Sequence, residues 1–264
     1  MLDMHPPILE VRARRRRFSA SGAGAIALLL AAGTAAPAGL TLRAAKPSPE
    51  CPARATAIVE HFIGADCLDC WKGAPAAGAS RLPGAQATAA GEWSLDWVAP
   101  SGREDAPLAV AALPESADRL ARLGPHLGAR LEAAPAAFDT ATELAAPDPA
   151  RRFWVHSSLP WNGYYGVQMH ARGRWPEGSS AWVGLVELLP AGVDDSAIPR
   201  RLVRALTGPV ALPASAAPTD GVDPLFGMRW PASAQADRIV AVAWVEGRDG
   251  RILQIASDRC VDPK

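Results

Sequence analysis

The chain of 264 residues is 49% hydrophobic and 20% charged, the balance of a globular protein long enough to bury one large core or two small ones. Its 27 Lys and Arg are matched by 27 Asp and Glu, so the net charge is zero and there is no electrostatic footprint for nucleic acid. With 25 prolines and 23 glycines, many turns and loose connections are expected.

Residues 1–38 read as a targeting segment. Arg12 to Arg17 is a basic block, and Ser21 to Ala38 is an uncharged, mostly small and apolar run ending in Ala36-Pro37-Ala38, an A-x-A-like cleavage site. Export to a periplasmic location is the expectation. Arg15-Arg16-Arg17-Phe18 resembles the core of a twin-arginine signal, and an ordinary secretory signal reads equally well. An uncleaved anchor is a third option, because Ser19 to Leu42 approaches the ~20 residues a membrane helix needs. Contact with a membrane is expected only through this segment, since nothing after Leu42 is long and apolar enough to span.

Residues 39–54 form a proline-containing linker, and a first core strand is expected at about Ala55 to Ile63. A Gly64-Ala65-Asp66 turn follows, and then Cys67 and Cys70, spaced so that both can lie on the first turn of a helix. A thiol there sits beside unpaired backbone N–H groups, which favour the reactive thiolate. Gly73 and Pro75 keep that helix short. Trp93, Leu95 and Trp97 alternate with Ser94 and Asp96, a strand with one aromatic face.

Pro107 to Leu113 is apolar enough for a buried strand. Glu115 to Ala133 has Leu120, Leu123, Leu127 and Leu131 at helical spacing, with Gly124-Pro125 splitting it. Ala134 to Arg152 reads as a connection, and residue 150 as a domain boundary. Phe153–His156, Tyr164–His170 and Ala181–Leu189 are expected to pair as antiparallel strands. Ile198 to Leu206 reads as a short helix carrying Arg200, Arg201 and Arg204, and 209–224 as a loop. Arg238–Glu246 and Arg251–Ser257, joined by Gly247-Arg248-Asp249-Gly250, give the strongest hairpin signal.

In an oxidising compartment the four cysteines become disulfide candidates. Three pairings are possible; the short spacing favours Cys67–Cys70, which leaves Cys51 and Cys260 to join the ends of the core. That long closure is worth about 4 to 5 kcal/mol in the chain-entropy model.

The strand, turn and Cys67-x-x-Cys70 resemble the thioredoxin superfamily. More narrowly, Glu60, Phe62, Cys67 and Cys70 resemble the opening of an uncharacterised bacterial family of exported proteins with a thioredoxin-like front. Trp182 to Leu189, Arg200 to Arg204 and the final hairpin look like that family's C-terminal part. Asp66 and Leu68-Asp69 stand where thioredoxins have Trp and Gly-Pro.

The resemblance implies an α/β fold, with a thioredoxin-like domain over 55–150 and an antiparallel β-rich domain over 151–264. It implies Cys67 as nucleophile and Cys70 as resolving thiol in thiol–disulfide exchange with an envelope protein, without a cofactor. His61 lies six residues before Cys67, where thioredoxins carry a buried proton-moving acid, so His61 or neighbouring Glu60 is the candidate relay. The two point to opposite faces of the strand, and a buried Glu needs a polar partner. The resemblance also implies a proline loop near the cysteines, for which Ser158-Leu159-Pro160-Trp161 is the candidate. The alternative is a non-enzymatic binding or scaffold module whose Cys67–Cys70 disulfide is structural, or a thiol metal site, with His156 and His170 as further soft ligands. The nine tryptophans are expected mainly in the core.

Overall fold

In a computed structural model, residues 57–73, 92–127, 137–214 and 221–259 are described. The expected targeting segment and linker, with Cys51 and Cys260, lie outside these residues. No helix among the described residues is long and apolar enough to cross a membrane.

Strand β1 (Ala57–Gly64) leads into helix α1 (Leu68–Lys72), and β2 (Glu92–Ala99) pairs parallel to β1 from Ala57↔Glu92 to Gly64↔Ala99. Helix α2 (Glu115–Leu127) and β3 (Ala137–Glu143) follow, β3 lying antiparallel on the other edge of β1. The chain continues through β4 (Arg152–Ser157), β5 (Tyr164–Arg172), β6 (Ser180–Leu189), β7 (Arg200–Ala211), β8 (Gly221–Val222), β9 (Leu225–Arg229), β10 (Ile239–Glu246) and β11 (Ile252–Ser257). One seven-stranded sheet has the order β11-β10-β6-β7-β2-β1-β3; a second, antiparallel sheet holds β4, β5, β8 and β9.

The layers follow from strand alternation. On one face of the large sheet, Ile58, Phe62, Leu95, Trp97, Val203, Val242 and Trp244 pack under Leu120 and Leu123 of α2. The other face is divided. Val183, Leu185, Ala241 and Ala243 meet Val155, Val167 and Met169 of the small sheet. Ile63, Val98, Leu189 and Leu202 meet Trp71 of α1 and the turn around Leu108. Strand β10 is buried along its whole length because layers cover both its faces.

The first strand, the aromatic β2 and the β10–β11 hairpin stand where expected, and an antiparallel β-rich C-terminal portion is present. The protein is nevertheless mostly β, with only α1 and α2 as α-helices among the described residues. Strands from both sides of residue 150 share the large sheet, since β7 pairs parallel to β2 at Asp96↔Leu202.

Several local expectations are corrected. Residues 107–113 form turns and a 3-10 segment at Ala109–Ala111, with Leu108 donating to Ala65 O and Leu113 to Val98 O; they are apolar because they cover the α1 face. Helix α2 runs through Gly124-Pro125, held by Leu120 and Leu123 against the sheet. The expected connection after residue 134 contains β3. Arg200 to Arg204 is strand, not helix, because β6 and β2 supply backbone partners on both edges. Strand β6 leaves β4 and β5 for the large sheet, and the expected 209–224 loop contains the end of β7 and all of β8.

Candidate functional site

The two cysteines sit where the parallel β1 delivers the chain to α1. Ala65 N–H donates to Ala99 O and Cys67 N–H to Gly64 O, closing a tight turn off the strand end. Cys67 is the N-cap of α1, and its Sγ accepts the Cys70 backbone N–H at 3.3 Å, as a sulfur cap on one of the donors a helix start leaves unpaired. The Cα atoms of Cys67 and Cys70 are 5.2 Å apart and the residues are joined as a disulfide. Both are half-buried, while Asp66 and Asp69 are exposed. Arg103 Nη1 lies 4.0 Å from Asp66 Oδ1 and also pairs with Asp105. A cation near Asp66 thus opposes the carboxylate's effect on the neighbouring sulfur.

A five-residue helix cannot hold itself in place, so its position is set by what grips its far end. Arg200 of β7 is buried and donates through Nη2 to the carbonyls of Trp71 at 2.6 Å, Gly73 at 3.0 Å and Cys70 at 3.2 Å. Its Nη1 donates to Asp96 Oδ1 at 3.0 Å and its Nε to Ser196 Oγ at 3.1 Å, while the guanidinium lies 5.0 Å over the Trp71 ring. Asp96 also accepts the Arg201 backbone N–H through Oδ2 at 2.7 Å. The 190–199 segment wraps the helix as well, with Ala197 N–H on Lys72 O and Trp71 Nε1 donating to Asp194 O at 2.6 Å. The C-terminal carbonyls of α1, the negative end of its dipole, are therefore satisfied by a cation that is itself fixed to the sheet.

The candidate relay residues separate. Glu60 shares a face with Ile58 and Phe62, opposite the disulfide, and is fully buried. Arg119 of α2 grips it in a two-pronged pair at 2.9 Å and 2.9 Å, and also bonds Glu246, which accepts Trp244 Nε1 at 2.8 Å. Burial works against the Arg119 charge, yet Glu60 and then Glu246 outweigh it and hold the guanidinium protonated above its ordinary value. Glu60 has the polar neighbour that burial demanded, but it is on the wrong side of the sheet to reach the sulfurs.

His61 is half-buried on the α1 face, in register with Asp96 across β1 and β2. Asp96 is thus a buried acid on the disulfide side, in register with His61, and with Arg200 it is the part of the site that sequence reasoning missed. The alternation of Trp93, Leu95 and Trp97 already put Asp96 on the opposite face. Reading Arg200 to Arg204 as helix concealed the partner.

Pro160 lies in the β4–β5 turn, where Trp161 and Tyr164 exchange backbone hydrogen bonds. The one cis peptide among the described residues is Gly208–Pro209. It lies eight positions along β7 from Arg200, roughly 26 Å at ~3.3 Å per residue. His156 and His170 stack edge to face on the small sheet, with His170 Nδ1 2.5 Å from Asp223 Oδ1, away from the cysteines. No group of three metal-ligating side chains occurs among the described residues.

The site so defined is a strand-end Cys-x-x-Cys disulfide carried on a short clamped helix. No protein-family model matches the chain, and no curated protein matches it. Among solved structures it is similar to HBP35 of Porphyromonas gingivalis, with a TM-score of 0.47 and 6% identity over 80% of this chain and 77% of that one.

Proposed function

We propose that this chain is an exported thiol–disulfide exchange protein with a thioredoxin-like front, acting on protein thiols of the cell envelope through Cys67 and Cys70. The observation that carries the reading is a half-buried Cys67–Cys70 disulfide at the junction of a buried strand and a helix start, with Cys67 Sγ hydrogen-bonded to a backbone N–H. In the oxidising direction a substrate thiolate attacks Cys67 Sγ. The Cys67–Cys70 bond breaks, and its electron pair goes to Cys70 Sγ, which takes a proton. A second substrate thiolate then attacks the mixed disulfide and releases Cys67, so two electrons and two protons pass from substrate to protein. Reduction of a substrate disulfide is the reverse. The basic block and the A-x-A-like site of residues 1–38 support the export part of the reading.

The test is chemical. After reduction, alkylation at graded pH should reveal a thiol titrating below the usual ~8.5, and Cys67→Ser should abolish reduction of insulin-type disulfides. Cys70→Ser should trap a mixed disulfide with an envelope protein. Slow alkylation with an ordinary thiol profile, and no trapped partner, would assign the disulfide a structural role instead.

A further inference from the structure

Four of the five large hydrophobic side chains that stand exposed among the described residues are linked around Arg229. Val110, Leu159, Trp161, Tyr164 and Leu225 are between 47% and 88% exposed. Tyr164 stands opposite Arg229 in the β5–β9 register, and Trp161 is bridged to Tyr164 by paired backbone hydrogen bonds at 2.9 Å. Leu225 and Arg229 share the outward face of β9, whose other side chains, Phe226 and Met228, turn toward the core. Val110 and Arg229 line the same cleft of about 260 Å³, whose floor includes Arg204 and Trp230. Between Leu225 and Arg229 the outward face of β9 carries no side chain, because Gly227 stands there; across the strands it faces Gly166, whose N–H donates to Ser158 Oγ at 3.0 Å. A Cβ at Gly227 would meet nothing within 4 Å.

The cleft and the disulfide pack against one core cluster. Ala111 and Ala112 line the cleft and also pack in the cluster that holds Cys67, Leu68 and Cys70. Leu108, just before them, donates its N–H to Ala65 O two residues ahead of Cys67. The cleft lining carries two arginines and no carboxylate. Arg204 is spent on Glu187 at 2.6 Å, leaving Arg229 as the cation facing outward.

We propose that this surface docks the substrate polypeptide, its apolar side chains lying on Val110, Trp161 and Leu225 and a carboxylate near its cysteine pairing with Arg229. The proposal rests on the exchange reading above. Charge selects this occupant. A two-fold contact between copies centred here would set Arg229 against Arg229. A lone cation is too few for an anionic membrane, which is held by a cluster of basic side chains. Trp and Arg side chains that a partner would desolvate are among the residues from which interfaces draw most of their affinity.

The test uses the full chain with both Cys67 and Cys70 changed to Ser, so that binding is read without exchange. Two synthetic probes are compared by fluorescence anisotropy: a peptide with Leu, Phe and Glu around one blocked cysteine, and its Lys-for-Glu counterpart. The Glu peptide should bind about tenfold more tightly than the Lys peptide, and Arg229→Glu should invert that preference. Trp161→Ala should weaken the Glu peptide about tenfold with an unaltered circular dichroism spectrum.

Equal binding of the two peptides, or no effect of either variant, overturns the proposal. So does sedimentation showing self-association that Trp161→Ala removes, or binding to anionic phosphatidylglycerol vesicles without peptide binding. Exchange of the wild-type protein with glutathione disulfide is measured separately. Peptide binding without such exchange leaves the docking surface standing and removes the redox reading; exchange without peptide binding does the converse.

Discussion

Arg200→Ala should be among the most damaging single substitutions in this protein. Removing one partner of a buried ion pair costs about 3 to 5 kcal/mol, because the survivor stays charged where water does not reach it. The survivor is Asp96, which keeps the Arg201 N–H at 2.7 Å and is spared part of that cost. Against this, the carbonyls of Cys70, Trp71 and Gly73 lose their common donor, at about 1 to 3 kcal/mol for each that remains dry. Cys70 and Gly73 are half-buried and regain water, leaving Trp71 O as the costly one.

The net loss is about 4 kcal/mol, a large part of the 5 to 15 kcal/mol that holds a typical domain. Urea unfolding with the disulfide intact reads it directly. With α1 released, reduction of Cys67–Cys70 by dithiothreitol should also quicken. Arg200→Lys should recover less than half of the loss, since one ammonium cannot reach three carbonyls, a carboxylate and a hydroxyl together. A loss of under ~1 kcal/mol in Arg200→Ala, with unchanged reduction kinetics, would refute the clamp.

Other outcomes follow from the same geometry. Glu60→Gln should lower stability by about 3 kcal/mol in urea unfolding by breaking the Arg119 pair, yet leave the alkylation profile of reduced Cys67 in place. A displacement of that profile by more than about half a pH unit would return Glu60 to the site. The Arg172 guanidinium and then His170 hold the Asp223 carboxyl below its ordinary value. Its contribution to stability is therefore present above about pH 4 and lost as pH falls through the lowered folded value. The pair is exposed, so the loss is under ~1 kcal/mol and shrinks with salt; Asp223→Asn should remove this acid-side component in urea midpoints taken across that range. Gly173 has φ +87°, and a Cβ there would lie 2.2 Å from Ala150 O. Gly173→Ala should cost at least ~2 kcal/mol and lower Tm by several degrees; an unchanged Tm would show that the turn yields freely.

How much was legible in the sequence varied with how local each signal is. The Cys67-x-x-Cys70 turn, the alternating aromatic β2 and the closing hairpin are written in adjacent residues, and each stands where its pattern put it. The site's support was not legible, because it joins residues more than a hundred positions apart: Arg200 to Cys70, Trp71 and Asp96. Arg200, Leu202 and Arg204 read as an arginine-rich helix because their side chains tolerate either backbone. Only the neighbours β6 and β2 decide for strand.

Glu60 shows the same division. The sequence by itself determined that Glu60 and His61 face opposite ways, because strand geometry alternates, and that a buried carboxylate there would need a partner. Which face would carry the disulfide, and so which acid would lie on its side, was decided only when α1 packed on one face of the large sheet and α2 on the other. Alternation along a strand is a property of neighbouring bonds; the identity of each face depends on the layers that cover it, and those arrive from distant parts of the chain.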